Sequence, residues 1–320
     1  MLKVLNSVGL KEQFDTRDLS GLEMQYVNDA DLTKELIEEA DVIIGRYNAE
    51  QLSWAKKCRL YQHGNAGSDN LKAEWFREGM VACNATGTFG TGISEYMIGS
   101  IILMMRNFSI YQNQQKDHLW LRHPSKNTIA GSKILVVGFG DIGSEFAHKV
   151  HYMGATVTAI RRHPEDKPDY VEKMGSLADL DTMIQDADVV ALALPKSDAT
   201  TNVISEKQLK LMKKTAYLVN VGRGTAVNID DLAVALKNHE IAGATLDVFP
   251  TEPLDPSHSL WDLDNMVITP HASGNLDLEV TKNHFVDLAM HNIRAVETDQ
   301  NYRNVVDFKT GYRTYKKCVK

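Results

Sequence analysis

A glycine-rich turn is the first segment of this sequence whose spacing suits a chemical role. Gly138, Gly140 and Gly143 stand between an apolar run, 134–137, and an amphipathic stretch, 144–153. A strand that turns tightly into a helix presents the first helical N–H groups to a pyrophosphate. Glycine triplets also arise by chance in ordinary strand–turn–helix units. Here the flanking strand and helix favour a dinucleotide site, at Gly138, Gly140, Asp141, Ile142 and Gly143.

The residues after the next predicted strand, 156–160, bear on which dinucleotide binds. An NAD site usually has Asp or Glu about 20 residues after the glycines, where it holds the adenosine ribose hydroxyls. Here Arg161 and Arg162 follow the strand, and no carboxylate occurs before Glu165. Guanidinium groups pair well with a 2′-phosphate, so we predict that NADP(H) is preferred, with NAD(H) as the other candidate. A solvated surface turn is the alternative interpretation of the two arginines.

Three later strands each end in a polar residue that a core does not require. Arg223 lies in the segment 220–224, Glu252 follows 246–249, and His271 lies in 269–274. The carboxyl ends of strands in an open α/β sheet face the ligand crevice. An arginine, a glutamate and a histidine beside a nicotinamide site indicate hydride chemistry. Taken singly, they have other interpretations: a surface ion pair, a solvated loop residue and a capped core histidine.

The elements that would position these residues alternate between strands and helices, which is typical of an α/β fold. The first part of the chain predicts strands at 3–6, 41–45 and 60–63 and an acidic helix at 32–40. Six further strands are predicted at 134–137, 156–160, 189–194, 216–220, 243–246 and 266–269. Apolar strands separated by helices form a doubly wound parallel sheet. A long apolar helix at 93–106 is predicted to be buried or to lie in an interface.

Length and composition restrict the class of protein. The 320 residues suffice for about two domains. The formal net charge of -7 makes nucleic acid an unfavourable partner. Cysteines without C-x-x-C spacing predict reduced cytosolic thiols and no metal site, at Cys58, Cys83 and Cys318. Because the sequence shows neither a signal-peptide pattern nor an apolar run of membrane-spanning length, we predict a cytoplasmic protein with no membrane partner.

The order of the motifs carries a family resemblance. After G-x-G-x-x-G come N-V-G-R-G at 220–224, D-V-F-P-T-E-P at 247–253 and T-P-H-A-S-G at 269–274. Over nearly the whole chain this arrangement resembles the D-isomer-specific 2-hydroxyacid dehydrogenase family, in particular NADP-preferring glyoxylate/hydroxypyruvate reductases. The resemblance implies two Rossmann-like domains with doubly wound parallel sheets, and a homodimer formed through the cofactor domain. The implied domains are a discontinuous substrate-binding domain at 1–95 plus 286–320 and an inserted dinucleotide-binding domain at 96–285.

The resemblance also implies roles for individual residues. Arg223, Glu252 and His271 match the family's catalytic residues, and Asp247 matches its ligand for the nicotinamide carboxamide. The loop that binds the substrate carboxylate falls on 65–68, which predicts substrate contacts at Asn65, Ala66 and Gly67 together with Arg223 and His271. Further predicted cofactor contacts are Pro195, Lys196, Thr201, Val221, Gly222, His271 and Gly274. An ordinary loop is the alternative for the first three of these.

The chemistry of a 2-oxo-acid reduction suits these residue types. The carbonyl carbon receives a hydride and the ketone oxygen receives a proton. The ordinary pKa of an imidazole is ~6.5, so a histidine such as His271 is a natural proton donor, and Glu252 would bind its other ring nitrogen and favour the imidazolium. Arg223 would bind the substrate carboxylate and polarise the carbonyl. We therefore predict an NADPH-dependent enzyme that converts a small 2-oxo acid to the D-2-hydroxy acid, the D configuration being implied by the resemblance alone.

A nucleotide-sensing, corepressor-like protein of the same fold is the alternative function. The complete set of catalytic residue types disfavours it, and so does the lack of a basic DNA-binding patch. Position 252 is glutamate rather than glutamine, and a glutamate there would support proton transfer by His271. This argues against a formate dehydrogenase, because formate oxidation requires no proton transfer. Trp120 lies in the polar stretch 112–123, and one interpretation is that it reaches the active-site rim of the partner subunit.

Overall fold

A computed structural model describes residues 1–125, 127–309 and 312–314 of the chain. The chain divides into two compact units, Met1–Phe89 with Asn275–Lys320 and Gly90–Gly274, so the second unit is inserted into the first. The predicted domain boundaries at 95/96 and 285/286 lie inside two helices, whereas the units divide just before those helices begin. Cys318, one of the three predicted reduced thiols, lies outside the described residues.

Strands and helices alternate along most of the described chain. The helices are α1 (Lys11–Asp15), α2 (Lys34–Glu39), α3 (Ala49–Trp54), α4 (Gly90–Met105), α5 (Phe108–Lys116), α6 (Asp141–Tyr152), α7 (Leu180–Met183), α8 (Glu206–Leu211), α9 (Ile229–Lys237) and α10 (Glu279–Thr298). The strands are β1 (Leu2–Asn6), β2 (Leu22–Tyr26), β3 (Val42–Gly45), β4 (Leu60–His63), β5 (Val81–Cys83), β6 (Lys133–Val137), β7 (Thr156–Ile160), β8 (Lys173–Gly175), β9 (Val189–Leu192), β10 (Tyr217–Asn220), β11 (Gly243–Leu246), β12 (Met266–Ile268), β13 (Val306–Asp307) and β14 (Tyr312–Arg313). None of the helices in the described part of the chain is long and apolar enough to cross a membrane.

The first unit contains a parallel sheet of five strands in the order β2-β1-β3-β4-β5. Every residue of β3 and β4 is buried, as expected for strands covered on both faces. The sequence predicted β1, β3 and β4 but not β2 or β5. β2 is an edge strand in which the exposed Glu23 and Gln25 interrupt the apolar residues, and β5 has three residues. β2 therefore lacks a continuous apolar run, and the apolar run of β5 is too short to indicate a strand.

Helix α10 closes the first unit through a buried amide. The Asn292 side chain donates to Gln62 Oε1 on β4 at 2.7 Å and to the Arg303 carbonyl at 3.1 Å, and it accepts from the Arg303 N–H at 2.7 Å. These bonds satisfy polar groups that would otherwise be unfavourable in a core. The helix begins at Glu279 with a largely polar first turn, and its apolar periodicity begins only at Phe285.

The second unit contains seven parallel strands in the order β12-β11-β10-β9-β6-β7-β8. All six predicted strands are present, and the edge strand β8 is the one that the sequence did not reveal, since its three residues include a lysine and a glycine. The two parallel sheets with their helices confirm the predicted α/β class with two doubly wound units. The strand order reverses between β6 and β9, and ligands of such sheets bind beyond the carboxyl ends of the strands at this point.

A histidine without charge lies in the core of the first unit. His63 ends β4, is 2% exposed, and shares a hydrogen bond of 2.8 Å between its Nδ1 and the Tyr61 hydroxyl. Burial, reinforced by the positive charge of Arg46, lowers the pKa of His63 to about 4. The folded protein therefore excludes a proton that the unfolded chain binds below pH ~6.5.

Acidification between pH 6.5 and 4 is expected to lower the free energy of unfolding through His63. The unfolded chain gains a proton in this window while the folded chain does not, and the full difference amounts to about 3 kcal/mol. In chemical denaturation between pH 7 and 4.5, His63→Gln should lose less stability than the wild type by a large part of that amount. The matched control is His284→Gln, at an exposed histidine of α10. Parallel stability curves for wild type and His63→Gln would contradict the expectation.

Candidate active site

The glycine turn joins β6 to α6 where the strand order reverses. Gly138 has a φ of 101°, which glycine adopts at little cost, and its N–H donates to the Ile160 carbonyl at 2.9 Å. Gly140 is the N-cap of α6, and no side chain of the described residues caps this helix. The start of α6 therefore offers backbone N–H donors to an anion, which fits a dinucleotide pyrophosphate.

Close packing in the same turn depends on the third glycine. A Cβ on Gly143 would lie 2.0 Å from the Gly138 carbonyl oxygen, so any side chain there would displace the turn. Asp141 faces the beginning of α4, since a Cβ on Gly90 would lie 3.3 Å from both of its carboxylate oxygens. Ile142 is half-buried beside them. The predicted pyrophosphate residues are thus together in one turn.

The predicted phosphate-binding arginines follow β7 directly. The Arg161 N–H donates to the Gly175 carbonyl at 3.0 Å, which ties this segment to the edge strand β8. Arg161 is half-buried and Arg162 is exposed. Both positions lie at the carboxyl end of a strand adjacent to β6, the edge at which a dinucleotide binds.

The segment after β9 is an ordered, capped loop. The Thr200 hydroxyl donates to the Pro195 carbonyl at 2.8 Å, and the Thr201 hydroxyl donates to the Ser197 carbonyl at 3.0 Å. Lys196 is exposed. The loop therefore presents a fixed backbone with one cationic side chain at the same edge of the sheet.

A buried asparagine shapes the loop that carries Arg223. Asn220, with no exposed surface, accepts from the Gly222 N–H and donates to the Arg223 carbonyl, each at 3.0 Å. Val221 and Gly222 are buried, whereas Arg223 is half-buried. A Cβ on Gly224 would lie 1.9 Å from the Phe249 carbonyl carbon, so the loop packs directly on the segment that follows β11.

That neighbouring segment holds Glu252 against His271. Glu252 Oε1 accepts from the Phe249 N–H at 2.9 Å, and Oε2 lies 2.8 Å from His271 Nδ1. The backbone thus fixes the carboxylate, and the carboxylate fixes the imidazole. The side chains remain 37% and 51% exposed, respectively, so the pair is accessible to a ligand.

A buried carboxylate builds the turn around His271. Asp247, 0% exposed, accepts at Oδ1 from the Thr269 hydroxyl (2.6 Å) and the Ala272 N–H (2.8 Å), and at Oδ2 from the Ser273 N–H (3.0 Å). Its carbonyl accepts from the His271 N–H at 2.8 Å. These bonds hold His271 at a φ of 52°, a left-handed conformation that costs roughly 1–2 kcal/mol outside glycine. The register pairs Asn220 with Leu246 and Leu246 with Ile268, which aligns the three strand ends.

The remaining predicted residues lie elsewhere in the two units. Asn65, Ala66 and Gly67 follow β4 in the first unit, where the Ala85 N–H donates to the Asn65 carbonyl at 2.9 Å. Gly274 is the last residue of the second unit and is half-buried. Trp120, after α5, is completely exposed. Among the described residues no group of three or more His, Cys, Asp or Glu could hold a metal ion.

Comparison with known proteins assigns the family. A family model described as D-isomer specific 2-hydroxyacid dehydrogenase, NAD binding domain, matches residues 98–273, which is more than half of the chain. The chain belongs to this family. The predicted family and enzyme class, an NAD(P)-dependent oxidoreductase, are thereby confirmed. The matched residues lie within the second unit, so this unit of the dehydrogenase is its nicotinamide-cofactor domain.

Individual relatives agree with this assignment. The glyoxylate reductase of Thermofilum pendens is 30% identical over 265 residues, which cover 80% of this chain and 76% of that protein. A crystal structure of a D-isomer specific 2-hydroxyacid dehydrogenase family protein from Aeromonas salmonicida has a TM-score of 0.86 at 28% identity and covers 96% of this chain and 99% of its own. A family member from Xanthobacter autotrophicus, in complex with NADPH and MES, has a TM-score of 0.82 at 22% identity, with 97% and 99% covered, and shares the fold.

The sequence motifs do not single out the residues that support the site. Asn220 and Thr269 are part of the motifs at 220–224 and 269–274, and in the structure each makes side-chain hydrogen bonds that shape a loop of the dehydrogenase. The signal available was position: both lie at or just beyond the end of an apolar strand, where a polar residue usually binds backbone groups. The sequence gives no indication of the hydrogen bond from the Phe249 N–H, because a backbone donor does not depend on the residue type.

Alanine at position 143 should weaken both folding and dinucleotide binding, because its Cβ would overlap the Gly138 carbonyl. We expect Gly143→Ala to destabilise the dehydrogenase by about 1–3 kcal/mol and to raise the dissociation constant for the nicotinamide dinucleotide, measured by thermal unfolding and by fluorescence titration with NADH and NADPH. The control is Gly99→Ala in α4, where nothing lies within 4 Å and stability should rise by up to about 1 kcal/mol. Unchanged affinity of Gly143→Ala for both dinucleotides would contradict this placement of the pyrophosphate.

Proposed function

We propose that this dehydrogenase uses NADPH to reduce a small 2-oxo acid, of the size of glyoxylate or hydroxypyruvate, to the D-2-hydroxy acid. The observation that carries the proposal is the hydrogen bond of 2.8 Å between His271 and Glu252. This pair lies at the same edge of the sheet as Arg223, beyond the carboxyl ends of the strands. The relative from Thermofilum pendens is a glyoxylate reductase, which supports a small substrate.

His271 is the proposed proton donor. Because Glu252 binds Nδ1, Nε2 is the ring nitrogen that transfers its proton to the ketone oxygen. The carboxylate stabilises the positive charge on the ring before the proton leaves and fixes the tautomer afterwards. The Phe249 N–H holds Glu252, so the orientation of the imidazole depends on backbone rather than on a mobile side chain.

Arg223 is the proposed substrate anchor. A guanidinium pairs with a carboxylate through two parallel hydrogen bonds and polarises the adjacent carbonyl. When bound, the dinucleotide supplies the hydride for the carbonyl carbon. Asn65, Ala66 and Gly67 are proposed to add backbone donors for the substrate carboxylate. Arg223 fits this role because Asn220 fixes the backbone from which its side chain extends.

The proposed cofactor preference rests on charge at the carboxyl end of β7. The N-terminus of α6 suits the pyrophosphate, and Arg161 with Arg162 suits an additional phosphate on the ribose. An NAD site would instead have a carboxylate at this position to bind the ribose hydroxyls. The further proposed cofactor contacts are Gly138, Gly140, Asp141, Ile142, Gly143, Pro195, Lys196, Thr201, Val221, Gly222, Asp247, His271 and Gly274.

The assembly and compartment are proposed on separate grounds. Phe108 and Leu121 are at least half exposed and Trp120 is fully exposed, and a second copy of the chain would cover such apolar side chains. Burial raises the pKa of the Cys58 and Cys83 thiols to about 12, which keeps them unreactive, as expected of structural thiols in a reducing compartment. We therefore propose a cytoplasmic homodimer.

Removal of the His271 imidazole should abolish most of the reductase activity. With NADPH and a panel of 2-oxo acids, we expect kcat of His271→Ala to fall about 100- to 10,000-fold, the range for loss of a general acid. The kcat of Glu252→Gln should fall less than that of His271→Ala, since glutamine retains a hydrogen-bond acceptor. NADPH should still bind to both variants.

The control for this experiment is His284→Ala, which removes an exposed imidazole of the first unit. Its kcat should equal that of the wild type. Near-wild-type turnover by His271→Ala with every reducible 2-oxo acid would overturn the proposed role. Cofactor binding by the wild type without turnover of any 2-oxo acid would instead favour a nucleotide-sensing protein.

The two arginines should determine the cofactor preference. We expect the wild type to have a higher kcat/KM with NADPH than with NADH, and the double variant Arg161→Gln with Arg162→Gln to lose this advantage mainly through a raised KM for NADPH. Lys173→Gln, at an exposed lysine of β8, controls for a general change in charge. A wild-type preference for NADH would contradict the phosphate-binding role.

A further inference from the structure

A chain of three side chains connects α4 to the turn that carries His271. The Tyr96 hydroxyl bonds to Thr269 Oγ1, and Thr269 Oγ1 bonds to Asp247 Oδ1 at 2.6 Å. A carboxylate only accepts hydrogen bonds, so the single proton of the Thr269 hydroxyl goes to Asp247. The Tyr96 hydroxyl must therefore donate to Thr269. The direction of the chain is fixed, from phenol to hydroxyl to carboxylate.

The inner end of this chain controls three consecutive amides. The Asp247 carboxylate accepts from the Ala272 and Ser273 N–H groups, and the Asp247 carbonyl accepts from the His271 N–H. Oδ1 is shared between the Ala272 N–H and the Thr269 hydroxyl. Any rotation of the carboxylate would lengthen bonds at both of its oxygens, so Thr269 helps to fix the conformation in which His271 is held.

The outer end of the chain lies on a long, well-packed helix. Tyr96 is half-buried on α4, and Met104, two turns further along, accepts a hydrogen bond at Sδ from the Thr245 hydroxyl on β11 at 3.4 Å. The helix is therefore attached to the same sheet at two points. Burial raises the pKa of the Tyr96 phenol, so it keeps its proton and remains a donor at neutral pH.

We propose that Tyr96 is a positioning residue for the reduction, which acts through Thr269 and Asp247 to hold His271 in its productive orientation. It touches neither the reacting atoms nor the cofactor in this role. The proposal rests on the proposed function, in which His271 is the proton donor. Helix α4 thus contributes to catalysis through a residue outside the sequence motifs.

The test compares Tyr96→Phe with the wild type by amide hydrogen exchange and by kinetics. We expect the Ala272 and Ser273 amides to exchange about 3- to 10-fold faster, because one net hydrogen bond is lost from the chain. With NADPH, kcat for the 2-oxo acid should fall by a similar factor, while its KM stays nearly unchanged since Arg223 binds the carboxylate.

Companion variants separate positioning from general stability. Thr269→Val should raise the amide exchange rates and lower kcat as Tyr96→Phe does. The kcat of the double variant should be no lower than that of Thr269→Val alone, because both changes interrupt the same chain of hydrogen bonds. Thr269→Ser retains the hydroxyl and should restore slow amide exchange. The control is Tyr111→Phe, which removes the hydroxyl that binds the His123 carbonyl in the same unit.

Unchanged amide exchange in Tyr96→Phe, or faster exchange without a fall in kcat, would overturn the proposal. Additive losses in the double variant would also overturn it, since they would show two independent effects. If exchange rises as expected but the wild type turns over no 2-oxo acid, the anchoring of the turn stands and the proposed function fails.

Discussion

The rest of the site depends on the hydrogen bonds that the buried carboxylate of Asp247 accepts. A carboxylate without exposed surface is strongly unfavourable unless hydrogen bonds replace its water, and here one hydroxyl and two backbone amides do so. The chain after β12 therefore has to fold back over Asp247. That constraint sets the left-handed backbone of His271, and with it the direction in which the imidazole meets Glu252.

The two neighbouring loops follow the same physical rule. The Asn220 side-chain amide forms hydrogen bonds with the backbone of the loop that carries Arg223. The Phe249 N–H donates a hydrogen bond to the Glu252 carboxylate. Gly224 lets the first loop lie against the second, where a Cβ would overlap the backbone. Because β10, β11 and β12 are parallel and in register, all three loops leave the sheet at one edge. Hydrogen bonds to backbone groups in three adjacent loops therefore hold the residues of the proposed reaction in place.

Much of this arrangement could be predicted from the sequence. Short, largely apolar runs predicted nine of the strands, and G-x-G-x-x-G predicted the turn before α6, because both patterns are local. The edge strands β2, β5 and β8 were not predicted, since β2 and β8 contain polar or glycine residues and β5 has only three residues. The strand-end positions of Asn220 and Thr269 indicate bonds to nearby backbone groups, but the link from Thr269 to Tyr96 could not be predicted, because these two residues are distant in sequence.

By itself, the sequence determined the fold class, the family resemblance and the residue types available for catalysis, because apolar periodicity and short motifs are properties of neighbouring residues. Only the tertiary structure decided how those residues are held. The hydrogen bonds between Asp247 and the turn after β12, and the link from Thr269 to Tyr96, join segments that are separated along the chain. Such contacts depend on strand order and register, which bring the three strand ends side by side and which no local pattern encodes.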